Sequence, residues 1–549
     1  MILDRHAILK YEGGCKVKQA RLLGILIVIF SFISACSKQD NADEASANGE
    51  QAKNLNETGF PIVNETITLD FMVGAHPATN DNYNDLFILN EYEEMTNIDI
   101  NWEMVPLDTL GEKRNLAFGG GNLPDAFYSG RIPEADLVKY GSQGLLIPLN
   151  DLMEDYAPNF NQWLKDYPEV KDSLTMPDGN IYSFPMLMDP EFLSVRMGAK
   201  PFINERLLED LNLDMPETLD EFYDFLKSVK ENGPDDVVPF GADNISSLYG
   251  YLRGSFGLAN KGSSVDLLDL DPETDELRFY PISDEYRNLV EYMRTLYDDG
   301  LIEENIFSID STQYLDNLSE GKYGSTIWYS PGETVGKSGS DYIGMPALEG
   351  PDGDQLFTTF HDAVFEHSFA ITEKNEYPAE TVRWLDYFYG DEGMQFFYMG
   401  IEGETYEIND DGEPEYIDEI INNEDGLSFE EAAKKYLVFP GGGYPSIANE
   451  EYFAGAENSE QGRAAADVLA PYLVEDPWTR LAHTEEETKK LSGFGTDIEK
   501  YVGEIRDKFI SGELPLNDDE WDKYVKELEK MGLDDYMKMK EEVLDRQFE

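Results

Sequence analysis

The chain predicts an α/β protein of two lobes. Strand-period and helix-period segments alternate between about Thr66 and Tyr128, and farther on amphipathic helices are bounded by caps and glycine stops. At 549 residues the chain also exceeds what one hydrophobic core holds. Ile67, Leu69, Phe71 and Val73 alternate with Thr68, Asp70 and Met72, which reads as a strand. A polar loop over 74–83 leads to a helical segment ending at Thr96. Ile98, Ile100 and Trp102 alternate again, and a second helix covers about Thr109–Phe118. A glycine-rich turn, Gly119–Pro124, feeds a third strand, Asp125–Tyr128. This order implies a parallel sheet with right-handed crossovers, whose ligands gather at the carboxyl ends of the strands. Those ends are His76–Tyr83, Pro106–Asp108 and Tyr128–Arg131.

The remaining helices follow in order. Thr218 and Glu221 form a capping box before Phe222, Phe225, Leu226 and Val229, and Gly233-Pro234 stops that helix. Tyr286, Leu289, Val290, Met293, Leu296 and Tyr297 make one apolar face, ended by Gly300. Val382, Leu385 and Phe388 make another. Thr496 and Glu499 read as a second capping box ahead of Val502, Ile505 and Phe509. Trp521, Tyr524, Val525 and Leu528 read as the closing helix. No internal repeat is visible.

The N-terminal end has the three parts of a secretory signal. Lys16, Lys18 and Arg21 precede an apolar run, Leu22–Ile33, and small residues follow it. The run is 12 residues, against the roughly 20 a membrane-spanning helix needs. Initiation near Val17 would leave a tidier signal. Ile33-Ser34-Ala35-Cys36 resembles a bacterial lipobox, which implies cleavage before Cys36 and lipidation of its thiol. Residues 1–35 are therefore expected to be a lipoprotein signal and 36–60 a polar, flexible tether. Two or more acyl chains give lasting anchorage.

The net charge is −69, and removal of 1–35 leaves 37 basic and 109 acidic residues. Such a surface repels nucleic acid and anionic headgroups, so neither is an expected partner; the membrane is reached through the lipid alone. Aromatic residues at 12% supply a large core, so the acidity does not mean disorder. It fits a high-salt habitat, where screening shortens repulsion. Cys15 lies in the removed segment, so the only remaining cysteine is the lipidated one. Disulfides, thiol catalysis and cysteine metal sites are excluded.

Catalytic motifs are missing as well. There is no HExxH, the five histidines lie apart, and no serine has glycines at both −2 and +2. Gly332–Ser338 is one residue short of a P-loop. The acidic turns 271–276 and 409–415 are read as turns and not as calcium sites. No cofactor and no metal is expected.

Seven segments together resemble one family: 90–106 (NEYEEMTNIDINWEMVP), 115–130, 151–185, 215–230, 285–305, 382–407 and 508–539. The family is the carbohydrate-type extracellular solute-binding proteins (family 1), within it the longer LplA-like lipoproteins of ABC importers in Gram-positive bacteria. The resemblance runs from about residue 65 to the C-terminus. It implies a class II periplasmic-binding-protein-like clamshell, with parallel-rich sheets flanked by helices and a hinge between lobes. Lobe 1 is expected over 61–185 and about 345–405, lobe 2 over about 186–344 and 406–549. The implied function is capture of an oligosaccharide in the inter-lobe cleft and delivery to the transmembrane subunits of an ABC permease. The chain is expected to be a monomer on the outer face of the cell membrane, and not an enzyme.

By resemblance to the maltose-binding branch, cleft positions are Tyr128, Ser129 and Arg131 after the Pro-Asp strand. The Gly321–Trp328 stretch matches one that ends in a stacking tryptophan, which nominates Trp328 and the following Tyr329, and Asp189 and Glu191 lie in the segment after Phe184-Pro185 that crosses between lobes in that branch. His76, Asp81, Asn82, Phe360, His361 and Tyr444 are placed by loop position. The chain departs from the pattern at Arg196-Met-Gly-Ala-Lys-Pro-Phe, where relatives run Arg-Lys-Asp-Trp-Leu. Sugars offer apolar C–H faces and a belt of hydroxyls, which flat aromatic rings and Asp, Asn, Glu, Arg or His side chains can meet. The alternatives are a surface polysaccharide lyase or hydrolase, and a peptide or sensory binding protein on the same fold.

Overall fold

The structure is a computed structural model. It describes residues 54–548, apart from 77–78, 359–363, 410–411, 413, 424–426, 428 and 439–442. Cys36, Phe360 and His361 lie outside the described residues.

Fourteen strands follow along the described chain. The first six are β1 (Ile67–Ala75), β2 (Ile98–Pro106), β3 (Ala126–Tyr128), β4 (Phe184–Met188), β5 (Lys200–Asn204) and β6 (Val238–Gly241). Then come β7 (Leu268–Leu270), β8 (Leu277–Phe279), β9 (Tyr323–Trp328) and β10 (Tyr342–Gly344). The last are β11 (Val364–Ile371), β12 (Tyr406–Ile408), β13 (Pro414–Tyr416) and β14 (Ile447–Ala448). One sheet has the order β14-β4-β11-β3-β1-β2 and the other β10-β5-β9-β6; β7-β8 and β12-β13 are small hairpins.

The predicted start of the fold is present. β1 runs parallel to β2 from Ile67↔Ile98 to Ala75↔Pro106, and parallel to β3 at Phe71–Val73. Helices Phe87–Thr96 and Leu107–Gly120 make the crossovers. The pleat of β1 feeds two cores. Phe71 and Val73 join Tyr128 and Phe369 on one face, while Met72 joins Phe127 and Ala370 on the other. Both sheets are mixed. β11 is antiparallel to β3 and β4, and β5 is antiparallel to β9 and β10. Each of these strands enters its lobe from the other one, so it runs away from the edge where its neighbours end. The carboxyl ends of β1, β3 and β4 therefore share an edge with the start of β11. The ends of β6, β9 and β10 share one with the start of β5.

Three crossings join these edges. By core membership, the first falls between Val195 and Met197, the second between Phe357 and Val364, and the third between Phe453 and Ala466. This corrects the expected boundaries. Residues 406–453 belong with lobe 1, because β14 pairs with β4 and Leu437, Val438, Tyr444 and Phe453 fill its core. Ala347, Leu348 and Phe357 pack in lobe 2.

The helices match their signals with two exceptions. The Thr218–Glu221 capping box forms, and the N–H of Gly233 closes that helix on the Val229 carbonyl. Ser283 caps Asp284–Asp298, whose buried face is Tyr286, Leu289, Val290, Met293 and Leu296. Thr496 caps nothing: it lies inside Glu485–Ile510, which Thr484 and Glu487 open with the same box pattern. Burial of Ile498, Val502 and Phe509 carries that helix through Gly493 and Gly495. The Trp521 helix does not close the chain either, since Leu533–Phe548 follows the left-handed turn at Gly532 (φ 102°).

Candidate functional site

The lobe 1 edge is built by a tight turn after β3. Ser129 (φ 46°) and Arg131 (φ 43°) both sit in the left-handed region, which reverses the chain at the strand end. Arg114 Nη1 donates to the carbonyls of Gly130 (2.8 Å) and Arg131 (2.9 Å), and holds that turn from below. β1 passes so near that a Cβ on Gly74 would stand 2.4 Å from the Ser129 carbonyl oxygen. Ser129 Oγ donates to the Gly443 carbonyl at 2.7 Å, and the Tyr444 hydroxyl donates to the Gly74 carbonyl at 3.2 Å. His76 lies at the end of β1. Partial burial lowers its pKa, and the nearby Arg131 guanidinium lowers it further; the same charge reaches Tyr444. Four predicted positions, His76, Ser129, Arg131 and Tyr444, thus come together at one edge.

Tyr128 does not join them. It is fully buried, with its ring 5.2 Å from Trp102, 5.7 Å from Tyr444 and 6.2 Å from Phe369. Its ring points inward, Ser129 and Gly130 after it are buried as well, and the turn reaches partial exposure only at Arg131. Tyr444 is also 1% exposed, a supporting ring under the edge and not a face on it. Asn82 caps the short helix Tyr83–Asp85 by accepting from the N–H of Asn84, while Asp81 is exposed beside it. Asp189 ends β4: its N–H donates to the Ala448 carbonyl at 2.9 Å and its carboxylate accepts from the N–H of Glu191 at 2.9 Å. Burial raises the Asp189 pKa. Glu191 is exposed.

The lobe 2 edge is built on β9. Trp328 pairs with Lys200 of β5; its ring lies 5.1 Å from Tyr314 and its Nε1 donates to Thr334 Oγ1 at 2.9 Å. It is therefore half core. Tyr329 next to it is 39% exposed, its ring 5.3 Å from that of Trp328. Partial burial raises its phenol pKa, helped by the carboxylates of Glu457 and Asp243.

Sequence reasoning missed Lys200 and Glu457. Lys200 is fully buried and donates to the Gly198 carbonyl at 2.7 Å; burial pulls its pKa down to about 8, opposed by Glu457. Glu457 lies on the third crossing, and its carbonyl accepts from Ser194 Oγ, which just precedes the first. The departure noted around Arg196–Phe202 was the available signal for Lys200, since a lysine between apolar strand residues needs an acceptor. Arg253 is a second missed cation. It is buried, its Nε donates to Thr358 Oγ1 at 2.6 Å and Nη1 lies 3.6 Å from Asp266. A groove of about 840 Å³ on lobe 2, beside Ser330, Ile343 and Gln461, contains none of the predicted site residues. The acidic turn after Asp269 is a hairpin in which Arg278 holds Asp269 at 2.8 Å and Asp271 accepts from the N–H groups of Glu273 and Thr274.

Residues 80–395 match the bacterial extracellular solute-binding protein family. The chain is 27% identical over 546 residues to the fructooligosaccharide ABC transporter substrate-binding protein FusA of Streptococcus pneumoniae, covering 95% of this chain and 97% of that one. It is 25% identical over 450 residues to lipoprotein LipO of Bacillus subtilis, covering 78% and 82%. The solved structure of FusA in complex with kestose superposes with a TM-score of 0.72 at 27% identity, over 87% of this chain and 99% of that one.

Proposed function

The chain belongs to the bacterial extracellular solute-binding proteins, and from that premise we propose that it captures an oligosaccharide between its lobes for an ABC importer. The observation that carries this is the similarity to FusA along nearly the whole of both chains, joined to two separate sheets and cores that the chain links by three crossings. Two rigid bodies on such crossings can close on a ligand, and closure is stabilised by contacts that both bodies make. His76 and Arg131 offer polar groups from lobe 1, Asp189 and Glu191 from the segment that leads into the first crossing, and Tyr329 an open ring from lobe 2. That is the mixture a sugar's hydroxyl rim and C–H faces require.

The same reading places the protein outside the cytoplasm, tethered by lipid on Cys36 and docking on permease subunits as a monomer. Among the described residues no helix is long and apolar enough to cross a membrane. Calorimetry of the purified chain with kestose and a panel of other oligosaccharides tests the proposal. One-site binding near micromolar Kd, about −8 kcal/mol, with the sugar recovered intact is the expected result. Shorter products in the mixture would move the protein to the hydrolase or lyase class, and binding of peptides alone would move it to the peptide class.

A further inference from the structure

The lobes also meet away from the crossings. After Tyr472 the chain passes Phe357, whose N–H donates to the Tyr472 carbonyl at 2.7 Å, and then reaches lobe 1. There the main-chain N–H of His483 donates to Oε1 of Glu134 at 3.2 Å. Glu134 opens the lobe 1 helix Glu134–Ser142, three residues beyond Arg131. On the lobe 2 side, Lys540 is 8% exposed and its Nζ lies 3.3 Å from His483 Nε2. Lys540 and Arg480 both place positive charge toward the Glu134 carboxylate, which is itself partly buried. The donor is held firmly. His483 immediately precedes Thr484, the cap of Glu485–Ile510, and Arg546 clamps Glu487 of that capping box at 2.8 Å.

A carboxylate receiving an N–H and facing two cations in a partly dry setting is a charge-assisted contact, stronger than a neutral hydrogen bond. Rotation of one lobe about the crossings must change it. We infer that Glu134 is an inter-lobe clasp: a positioning residue that holds lobe 2 against the Ser129–Arg131 turn and raises ligand affinity without touching the ligand. The inference rests on the oligosaccharide reading for its affinity consequence, and on the lobe contact alone for its effect on shape. Ligand affinity scales with the fraction of protein in the binding-competent form, so a contact made only with the lobes together raises it. Loss of a buried, hydrogen-bonded charge partner acts mainly through dissociation.

The test uses the full mature chain, with kestose as probe and small-angle scattering of the ligand-free protein beside it. Glu134→Ala should bind kestose about tenfold more weakly, through faster dissociation, at unchanged Tm, and its ligand-free radius of gyration should exceed that of the parent. Glu134→Gln keeps an acceptor for the His483 N–H and should recover part of the affinity. Lys540→Met should reproduce the defect from the other lobe, and the double variant should be no weaker than Glu134→Ala alone. Wild-type affinity and scattering in Glu134→Ala overturn the clasp. So does a fall in Tm with affinity of the folded fraction unchanged. If the parent binds neither kestose nor any other sugar of the panel, the oligosaccharide reading has failed while the scattering comparison still decides the clasp.

Discussion

Tyr128→Phe separates the core of lobe 1 from its ligand edge. The Tyr128 side chain is fully buried among Trp102, Phe369, Trp384 and Tyr444, and its hydroxyl has no hydrogen-bond partner among the described residues. An unsatisfied buried hydroxyl costs about 1–3 kcal/mol, so its removal at constant shape should stabilise the protein by about 1 kcal/mol. For a chain of this size that corresponds to an upward Tm shift of about 1–3 °C. Tyr128→Ala removes the ring as well, and should cost about 3–5 kcal/mol through the lost packing and the cavity left behind. Scanning calorimetry gives the stabilities, and a kestose titration of each folded variant gives the affinities. The expected pattern is a more stable Phe variant, a much less stable Ala variant, and wild-type affinity in Tyr128→Phe. A Phe variant with unchanged Tm and tenfold weaker binding would refute the reasoning, because the hydroxyl would then reach the ligand.

Other consequences are equally direct. Tyr329→Ala removes an open ring and should weaken kestose binding by more than about 1 kcal/mol with little change in Tm, whereas Trp328→Ala also loses the Tyr314 contact and the Thr334 hydrogen bond and should lower Tm clearly, read by parallel titration and melting. Gly74→Ala drives a methyl against the Ser129 carbonyl and should cost about 1–3 kcal/mol, with the loss of binding exceeding that of a distant core variant of equal stability. His367 is buried beside Ser183, and burial, aided by the Arg480 charge, pushes its pKa down to about 4. A depressed histidine stabilises the fold above its ordinary pKa of 6.5 and loses that contribution as pH falls toward 4. His367→Asn should therefore remove about 3 kcal/mol of the acid-side decline in denaturant titrations at pH 7 and pH 4. Asp386, pushed up to about 6 by burial, has the opposite sign in the same window, so the comparison is between variants.

The first sheet was legible because β1 and β2 are nine-residue strands with clean alternation at their starts, joined by helices with clear faces. The second sheet was not. β5 is buried at every position, and β6 and β10 are three or four residues long, so neither period nor length marks them. β14 has two residues and owes its existence to β4, which is why the 406–453 stretch was assigned to the wrong lobe. At the site, strand order located the turn after β3, which holds Ser129 and Arg131. Tyr128, the last strand residue, was grouped with the loop that follows it, and its ring lies in the core. Glu457 and Glu134 had no local pattern to betray them, and the only signal for Lys200 was the departure around Arg196–Phe202. Glu457 and Glu134 are defined by partners distant in sequence, Lys200 for one and the N–H of His483 for the other, and the charge of −69 hides such ionisable groups well.

The central claim is that two bodies shut over a sugar, and the radius of gyration across a kestose titration tests it most directly. A saturable decrease with one-to-one stoichiometry, and intact trisaccharide recovered afterwards, is the predicted result. Sugar bound at an unchanged radius of gyration would contradict closure.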